Sequence, residues 1–192
     1  MKKSFNKNGF TVIEVSLVLA IAGAIFMMLF IALPPLQRSQ RDTTRRETMS
    51  EFISEIKKYQ SSNRGALPSG TGALTVTDGI ASGNKDMADW VEFYNKYLGE
   101  NFVDADGSYY NVTVVTCTTD EAGKKTTAGS DCLNGELTEG NASYKLEYSD
   151  DHNLVVAIQA SCSGEKAVGT SNPRNLSVLI RLEGSGIYCI NS

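Results

Sequence analysis

The sequence predicts an α+β fold in which one long N-terminal helix packs against a C-terminal antiparallel sheet. Residues 10–33 form an apolar run that contains one carboxylate, Glu14. Apolar side chains then recur at helical spacing until about residue 62. Five short segments with the composition of strands follow between residues 109 and 190. A helix-period pattern followed by strand-period patterns is typical of this fold class.

Composition and charge indicate one small globular domain after the helix. Of 192 residues, 1–9 form a basic leader and 10–62 the long helix, which leaves 63–192 for the head. The head has 9 Lys and Arg against 17 Asp and Glu, a net charge of −8. This acidic balance argues against a broad nucleic-acid-binding face.

Residues 10–33 are long enough to cross a membrane. These 24 residues would form a helix about 36 Å long, against a hydrocarbon core of about 30 Å. An acidic side chain at the centre of such a helix costs about 2.5–3.5 kcal/mol, and less near an end. Because carboxylates in membrane segments generally have partners, we expect Glu14 to have a functional role.

The pair Pro34-Pro35 predicts a bend in the helix rather than its end. Each proline removes a backbone donor and restricts the residue before it. The polar residues 37–48 that follow are nevertheless good helix formers, and we expect them to be solvated or to pack between subunits. Asp42 precedes Arg45 and Arg46 by three and four residues, a spacing that favours ion pairs within the helix.

An apolar stripe is predicted on the second half of the helix, where it should dock against the head. Its members recur at helical spacing: Met49, Phe52, Ile53, Ile56 and Tyr59. Residues 60–85 have the composition of a loop. A short helix at about 86–98, capped by Asp86 and stopped by Gly99, should bury one aromatic face: Trp90, Phe93, Tyr94, Tyr97 and Leu98.

The sheet is predicted from strand-like segments at residues 109–118, 143–149, 153–161, 175–183 and 186–190. In two of these segments apolar side chains alternate on one face. They are Leu154, Val156, Ile158 and Ala160, and Leu176, Val178, Ile180 and Leu182.

All four cysteines lie beyond the apolar run, and their even number predicts two disulfides. Of the three possible pairings we predict Cys117–Cys132 and Cys162–Cys189. The first would close the loop that leaves the strand ending near Cys117. The second would fasten the last strand to the loop after residue 161.

Several candidate sites are rejected on their spacing. The segment from Asp104 to Ser108 has its glycine fourth rather than sixth, so an acidic turn is favoured over a calcium loop. The only histidine, His152, has no partner at metal-binding spacing, and we predict no metal site and no cofactor. Three N-glycosylation patterns, at Asn111, Asn141 and Asn175, are assigned no function. No catalytic constellation is visible, so we predict that the chain is not an enzyme.

The segment Gly9-Phe10-Thr11-Val12-Ile13-Glu14, behind a leader with three lysines, resembles the leader junction of type IV pilins and pseudopilins. The resemblance implies that a prepilin peptidase cuts between Gly9 and Phe10 and methylates the new amino group of Phe10. It also implies a pilin-like fold and a role for Glu14 in assembly. The implied location is the cytoplasmic membrane for the precursor and a surface pilus for the assembled subunit.

The function implied is a structural subunit of a type IV pilus, polymerised through its N-terminal helix for adhesion or twitching motility. Its partners would be copies of itself, the prepilin peptidase and the assembly machinery of the membrane, with no nucleic acid. Two alternatives remain at this point: a minor pilin or type II secretion pseudopilin, and a signal-anchored extracellular binding domain. The residues Gly9, Phe10 and Glu14 favour the first two over the third, since a plain anchor has no need of them.

Overall fold

A computed structural model describes residues 9–117, 152–184 and 186–192 of the chain. Residues 1–8 of the predicted leader, the predicted strand at 143–149, Cys132 and Asn141 lie outside the described residues. By backbone contacts the chain divides into two compact units, the first ending at Arg38 and the second beginning at Ser39. The architecture is α+β and pilin-like, with a long N-terminal helix and a C-terminal sheet that is mostly antiparallel.

The N-terminal helix, α1, runs over Val12–Ser62 and contains both Pro34 and Pro35. The prolines therefore do not end the helix, in agreement with the sequence, and the predicted bend at this point stays a prediction. Within the second unit α1 buries the predicted stripe, since the exposed fractions of Met49, Phe52 and Ile56 are 0%, 1% and 0%. This stripe packs with apolar side chains of the sheet in one core.

Six strands form the main sheet in the order β2-β1-β3-β4-β7-β8, and β5 and β6 form a separate two-stranded sheet. The strands are β1 Gly72–Thr77, β2 Ile80–Gly83, β3 Asn111–Thr116, β4 Asn153–Ile158, β5 Ala160–Ser163, β6 Lys166–Gly169, β7 Leu176–Leu182 and β8 Gly186–Asn191. Every pairing is antiparallel except β3 with β4, which is parallel with Asn111 beside Asn153. Parallel neighbours cannot be joined by a tight turn, and the sequence separation between the end of β3 at Thr116 and the start of β4 at Asn153 is large enough for a longer connection.

The sheets differ from the prediction in four respects. The β3–β4 pair is parallel, and β6 lies where no strand was predicted. The other two differences concern β1 with β2 and the end of β4. Strands β1 and β2 lie in the segment predicted to be a loop, where Leu74, Val76 and Ala81 are buried between small polar residues. The predicted strand 153–161 is broken at Gln159, whose φ of 59° is left-handed. That single residue ends β4 and sends the chain into β5, so Ala160 leaves the face that Leu154 and Val156 share.

Each face of the main sheet has its own core. On one face the α1 stripe packs with alternating side chains of β4 and β7, as the sequence predicted: Leu154, Val156, Leu176, Val178 and Ile180. On the other face, Val115, Cys117, Val155 and Leu179 are buried with Ala160 and Ala167 of the β5–β6 pair. Cys162 of β5 and Cys189 of β8 form the predicted disulfide across this second layer.

The predicted short helix forms as a series of short turns, with α2 at Ala88–Phe93 and a wider turn at Tyr94–Leu98. Trp90, Phe93 and Tyr94 are buried, and Tyr97 and Leu98 pack against the same core, which confirms the predicted face. Gly99 ends the wider turn with a φ of 61°. Asp86 is not the cap, because it lies inside a preceding 3-10 turn, Lys85–Met87.

Candidate functional site

The N-terminal segment holds the residues that the sequence marked for processing. Gly9 and Phe10 precede the first residue of α1, Val12, and are exposed in an irregular conformation. The Phe10 side chain is 88% exposed. A peptidase that cuts before Phe10 needs an accessible, non-helical bond, and the bond between Gly9 and Phe10 meets both requirements in this unit.

Thr11 and Glu14 form a capping box at the start of α1. The Glu14 Oε2 accepts hydrogen bonds from the Thr11 backbone N at 3.0 Å and from Thr11 Oγ1 at 2.9 Å. The Glu14 backbone N donates to Thr11 Oγ1 at 3.3 Å. Such reciprocal bonds satisfy backbone donors that have no partner in the first turn of a helix. The carboxylate predicted to act in assembly is thus held against its own helix, and Oε1 retains acceptor capacity.

The first unit exposes a continuous apolar surface along α1. Its large side chains from Val12 to Leu33 are about half to nine-tenths exposed, and the most apolar segment of α1 is not buried. Among the described residues, α1 is the helix that is long and apolar enough to cross a membrane. An unburied apolar surface of this length marks a contact with a membrane or with other helices.

One side of the polar stretch of α1 is bound to the sheet, while most of the residues between 37 and 48 are exposed. Arg45 is 1% exposed, and its Nη2 lies 2.7 Å from the Asp104 Oδ2. Its Nη1 donates to the Arg181 backbone O at 3.1 Å. Arg45 precedes Met49 by four residues and therefore belongs to the buried stripe, a spacing from which its burial could have been predicted.

Neighbours of Arg45 reach the turn between β7 and β8. The Asp42 carboxylate accepts from the backbone N of Glu183 at 2.8 Å and of Gly184 at 3.1 Å. Arg41 Nη2 lies 3.0 Å from Glu183 Oε2. These contacts replace the pairing of Asp42 with Arg45 and Arg46 expected from helical spacing. Residues predicted to face solvent thereby fix α1 to the β7–β8 turn.

Asp104, placed by the sequence in an acidic turn, is a buried acceptor with several donors. Tyr110 Oη donates to Asp104 Oδ1 at 2.7 Å, in addition to the bonds from Arg45. Burial alone would raise the pKa of Asp104, but the hydrogen bonds from Arg45 and Tyr110 hold it below its ordinary value. Burial would likewise lower the pKa of Arg45, and its bond to Asp104 raises it instead.

The structure brings Asp104, Asp106 and His152 together, with one ligand atom of each within 4.8 Å of the others. Carboxylates and imidazole can ligate a divalent cation. Here, however, His152 Nε2 lies 2.9 Å from Asp106 Oδ2, and both Asp104 oxygens already accept from Arg45. Internal partners thus account for the three side chains, and we assign them no metal.

The structure contains one of the two predicted disulfides and does not test the other. Cys162 and Cys189 are bonded, with their Cα atoms 5.7 Å apart. Cys117 is buried at the end of β3, and its predicted partner Cys132 lies outside the described residues. The Cys162–Cys189 bond links the two-stranded sheet to the last strand of the main sheet, so it supports the layer opposite α1.

Comparisons with known proteins add no family to this description. No family model matches the chain, and no curated protein and no solved structure is significantly similar to it. The functional argument therefore depends on the residues and geometry described above.

Proposed function

We propose that the chain is the structural subunit of a type IV pilus, processed before Phe10 and polymerised through α1. The subunit would be held in the cytoplasmic membrane by residues 10–33 and, once assembled, would form part of an extracellular filament. Its role would be mechanical and adhesive rather than catalytic.

The observation that carries this proposal is a difference in burial between the two parts of α1. The part of α1 in the first unit exposes its apolar side chains, whereas the part in the second unit buries its stripe in the core of the sheet. A helix used only as an anchor needs no carboxylate, yet Glu14 lies in the first turn behind Gly9 and Phe10. Burying that carboxylate among packed helices is unfavourable unless a positive partner is supplied.

Cleavage before Phe10 would supply such a partner. It creates a positive amine four residues before Glu14, and a methyl group leaves that amine basic. The capping box uses Glu14 Oε2 for its own helix, so Oε1 is available for the amine of a neighbouring subunit. We propose that this pairing between subunits sets their axial stagger.

The proposal is tested by expressing the full chain in cells that contain a type IV pilus assembly system and lack their own major pilin. We expect surface filaments by electron microscopy. Subunits recovered from sheared filaments should have an intact mass that begins at Phe10 with one added methyl group. In a matched strain without prepilin peptidase, the subunits should keep residues 1–9 and no filaments should form. Filaments built from subunits that keep residues 1–9 would contradict the proposal.

A further inference from the structure

A groove of about 510 Å³ lies beside the C-terminal end of α1, at the opposite end of the second unit's helix from Arg45. Its lining consists of residues 64–71, Thr116, Ile158, Gln159, Pro173 and Arg174. The volume falls in the range typical of sites for small ligands, about 300–1,000 Å³. Among the lining residues five have apolar side chains, three carry a hydroxyl, one carries an amide, two are glycines and two are arginines.

The groove is positively charged within an acidic domain. Arg64 and Arg174 both line it, whereas none of its described lining residues is Asp or Glu. Within the described part of the chain, neither guanidinium takes part in an ion pair. Two unpaired arginines together in a head of net charge −8 indicate a place for an anionic ligand.

Two hydrogen bonds hold the backbone of Arg174 beside the groove. Gln60 Nε2 donates to the Arg174 backbone O at 3.1 Å, and the Arg174 backbone N donates to Asn172 Oδ1 at 3.0 Å. Its guanidinium lies over Gly65, where a Cβ would come within 3.2 Å of the Arg174 Cζ. A glycine at position 65 thus leaves the space that this guanidinium occupies.

Arg64 occupies a backbone position that ordinarily favours glycine. The Gly65 backbone N donates to the Gln60 O at 2.7 Å, which closes a Schellman motif at the end of α1. This motif places Arg64 at its left-handed position, with a φ of 56°. Of the three described non-glycine residues with a positive φ, Arg64 and Gln159 both line the groove and Asp78 does not. The end of α1 and the break between β4 and β5 thus place Arg64 and Gln159 at the groove.

We infer that this groove binds the carboxylate of a small acidic sugar, with the Arg64 and Arg174 guanidiniums as its partners. A guanidinium fork matches a carboxylate through paired, charge-assisted hydrogen bonds. The hydroxyl and backbone N of Ser69 already donate to the Asp89 carboxylate. The hydroxyls of Thr71 and Thr116 and the amide of Gln159 are the lining groups that suit the hydroxyls of a sugar. Single-stranded nucleic acid is disfavoured, because it needs aromatic stacking platforms and no described lining residue is aromatic. The inference holds whether or not the chain forms filaments.

The test uses the full chain in lauryldimethylamine oxide micelles, which carry no sugar, phosphate or carboxylate. Saturation-transfer NMR with glucuronate and with glucose compares two ligands that differ in the carboxylate. We expect signal from glucuronate and none from glucose. The double change Arg64→Gln with Arg174→Gln should weaken glucuronate binding about tenfold or more, whereas Lys85→Gln, at an exposed lysine outside the groove, should not.

Folding of the variants is checked by the fluorescence of the single tryptophan, Trp90, which is buried in the core. Both variants should give the spectrum of the unmodified chain. Equal signals from glucose and glucuronate, or a folded double variant that binds glucuronate as the unmodified chain does, would refute the inference. Displacement of glucuronate by a single-stranded oligonucleotide at equal concentration would assign the groove to another ligand class and would equally refute it.

Discussion

Arg45 and Asp104 form a buried ion pair that joins α1 to the turn before β3, with Nη2 and Oδ2 2.7 Å apart and each residue at most 3% exposed. Ion pairs taken out of water are tolerated only when hydrogen bonds satisfy both members. Tyr110 supplies a further donor to Asp104, the Arg181 carbonyl accepts from Arg45, and Glu183 lies nearby as a second counter-charge. The pair therefore works as the centre of a polar network between helix and sheet.

Changing Asp104 to Asn should destabilise the second unit strongly. It leaves the Arg45 guanidinium buried with only Glu183 Oε1, 3.6 Å from Nη2, as its remaining counter-charge. Loss of one member of a buried pair typically costs about 3–5 kcal/mol, and the nearby Glu183 places our expectation at the lower end. Guanidinium unfolding of the full chain, followed through Trp90, measures the effect. The control Asp86→Asn, at an exposed aspartate, should not change the guanidinium concentration at the midpoint of unfolding.

Low pH should destabilise the second unit, because the carboxylates of Asp104 and Asp106 lose their charge. Burial would raise the pKa of Asp106, but hydrogen bonds from the Ser108 backbone N and from His152 lower it to about 2, from an ordinary value of 3.8. Because the folded-state pKa is the lower one, ionised Asp106 stabilises the fold above pH 3.8, and this contribution is lost as the pH falls towards 2. The buried Asp104, whose pKa is also lowered, acts in the same direction.

Unfolding midpoints measured between pH 7 and pH 2.5 should fall most steeply below about pH 4. Asp106→Asn should make that fall shallower, since one of the two carboxylates no longer titrates. The exposed Asp86→Asn variant should follow the unmodified chain. A midpoint of the unmodified chain that stays constant down to pH 2.5 would contradict the assignment.

Removing the Cys162–Cys189 bond should loosen the layer opposite α1 before it affects the α1 core. The bond closes a segment with a sequence separation of 27, for which chain entropy predicts about 3–4 kcal/mol. In the double variant Cys162→Ser with Cys189→Ser, hydrogen exchange should quicken first in β5, β6 and β8. If exchange quickened equally in β4 and β7, the disulfide would support the whole sheet.

Peptide mapping of the unreduced chain tests the pairing itself. A link between Cys117 and Cys189 would contradict the predicted pairing.

Elements with strong periodicity could be predicted from the sequence. The stripe from Met49 to Ile56 and the alternation in β7 each bury one face, so the pattern of side chains is enough to place them. Strands β1 and β2 were missed although the sequence carries their signal. Residues 74–77 alternate apolar and polar side chains, and Asp78-Gly79 is a two-residue turn typical of a hairpin. The break at Gln159, by contrast, gave no signal, since a left-handed glutamine leaves no trace in composition.

Contacts between segments that are far apart in the chain could not be predicted from the sequence either. Arg45 and Asp104 are separated by 59 residues, and nothing in their local sequence pairs them. Spacing alone favoured Asp42 as the partner of Arg45, whereas the fold offers Asp42 the free backbone donors of the β7–β8 turn. The capping box at Thr11 and Glu14, by contrast, is a four-residue pattern and could have been predicted.

The last prediction separates two roles that Glu14 can have. Its carboxylate caps its own helix through Thr11, and we propose that its charge also pairs with the Phe10 amine of a neighbouring subunit. Glutamine at position 14 keeps an acceptor oxygen for the capping box but removes the charge. Alanine at position 11 removes the capping hydroxyl but keeps the charge. The two changes therefore test the two roles one at a time.

Under the assembly proposal, Glu14→Gln should abolish filaments or leave them scarce, while Thr11→Ala should reduce their number less, because the Glu14 charge that sets the stagger remains. Both variants should be inserted, cleaved before Phe10 and folded beyond Ser39, since neither change touches the second unit. Filaments counted by electron microscopy in cells with equal subunit levels decide the matter. Abundant, regular filaments from Glu14→Gln would show that the carboxylate serves the helix end alone, and the pairing between subunits would have to be abandoned.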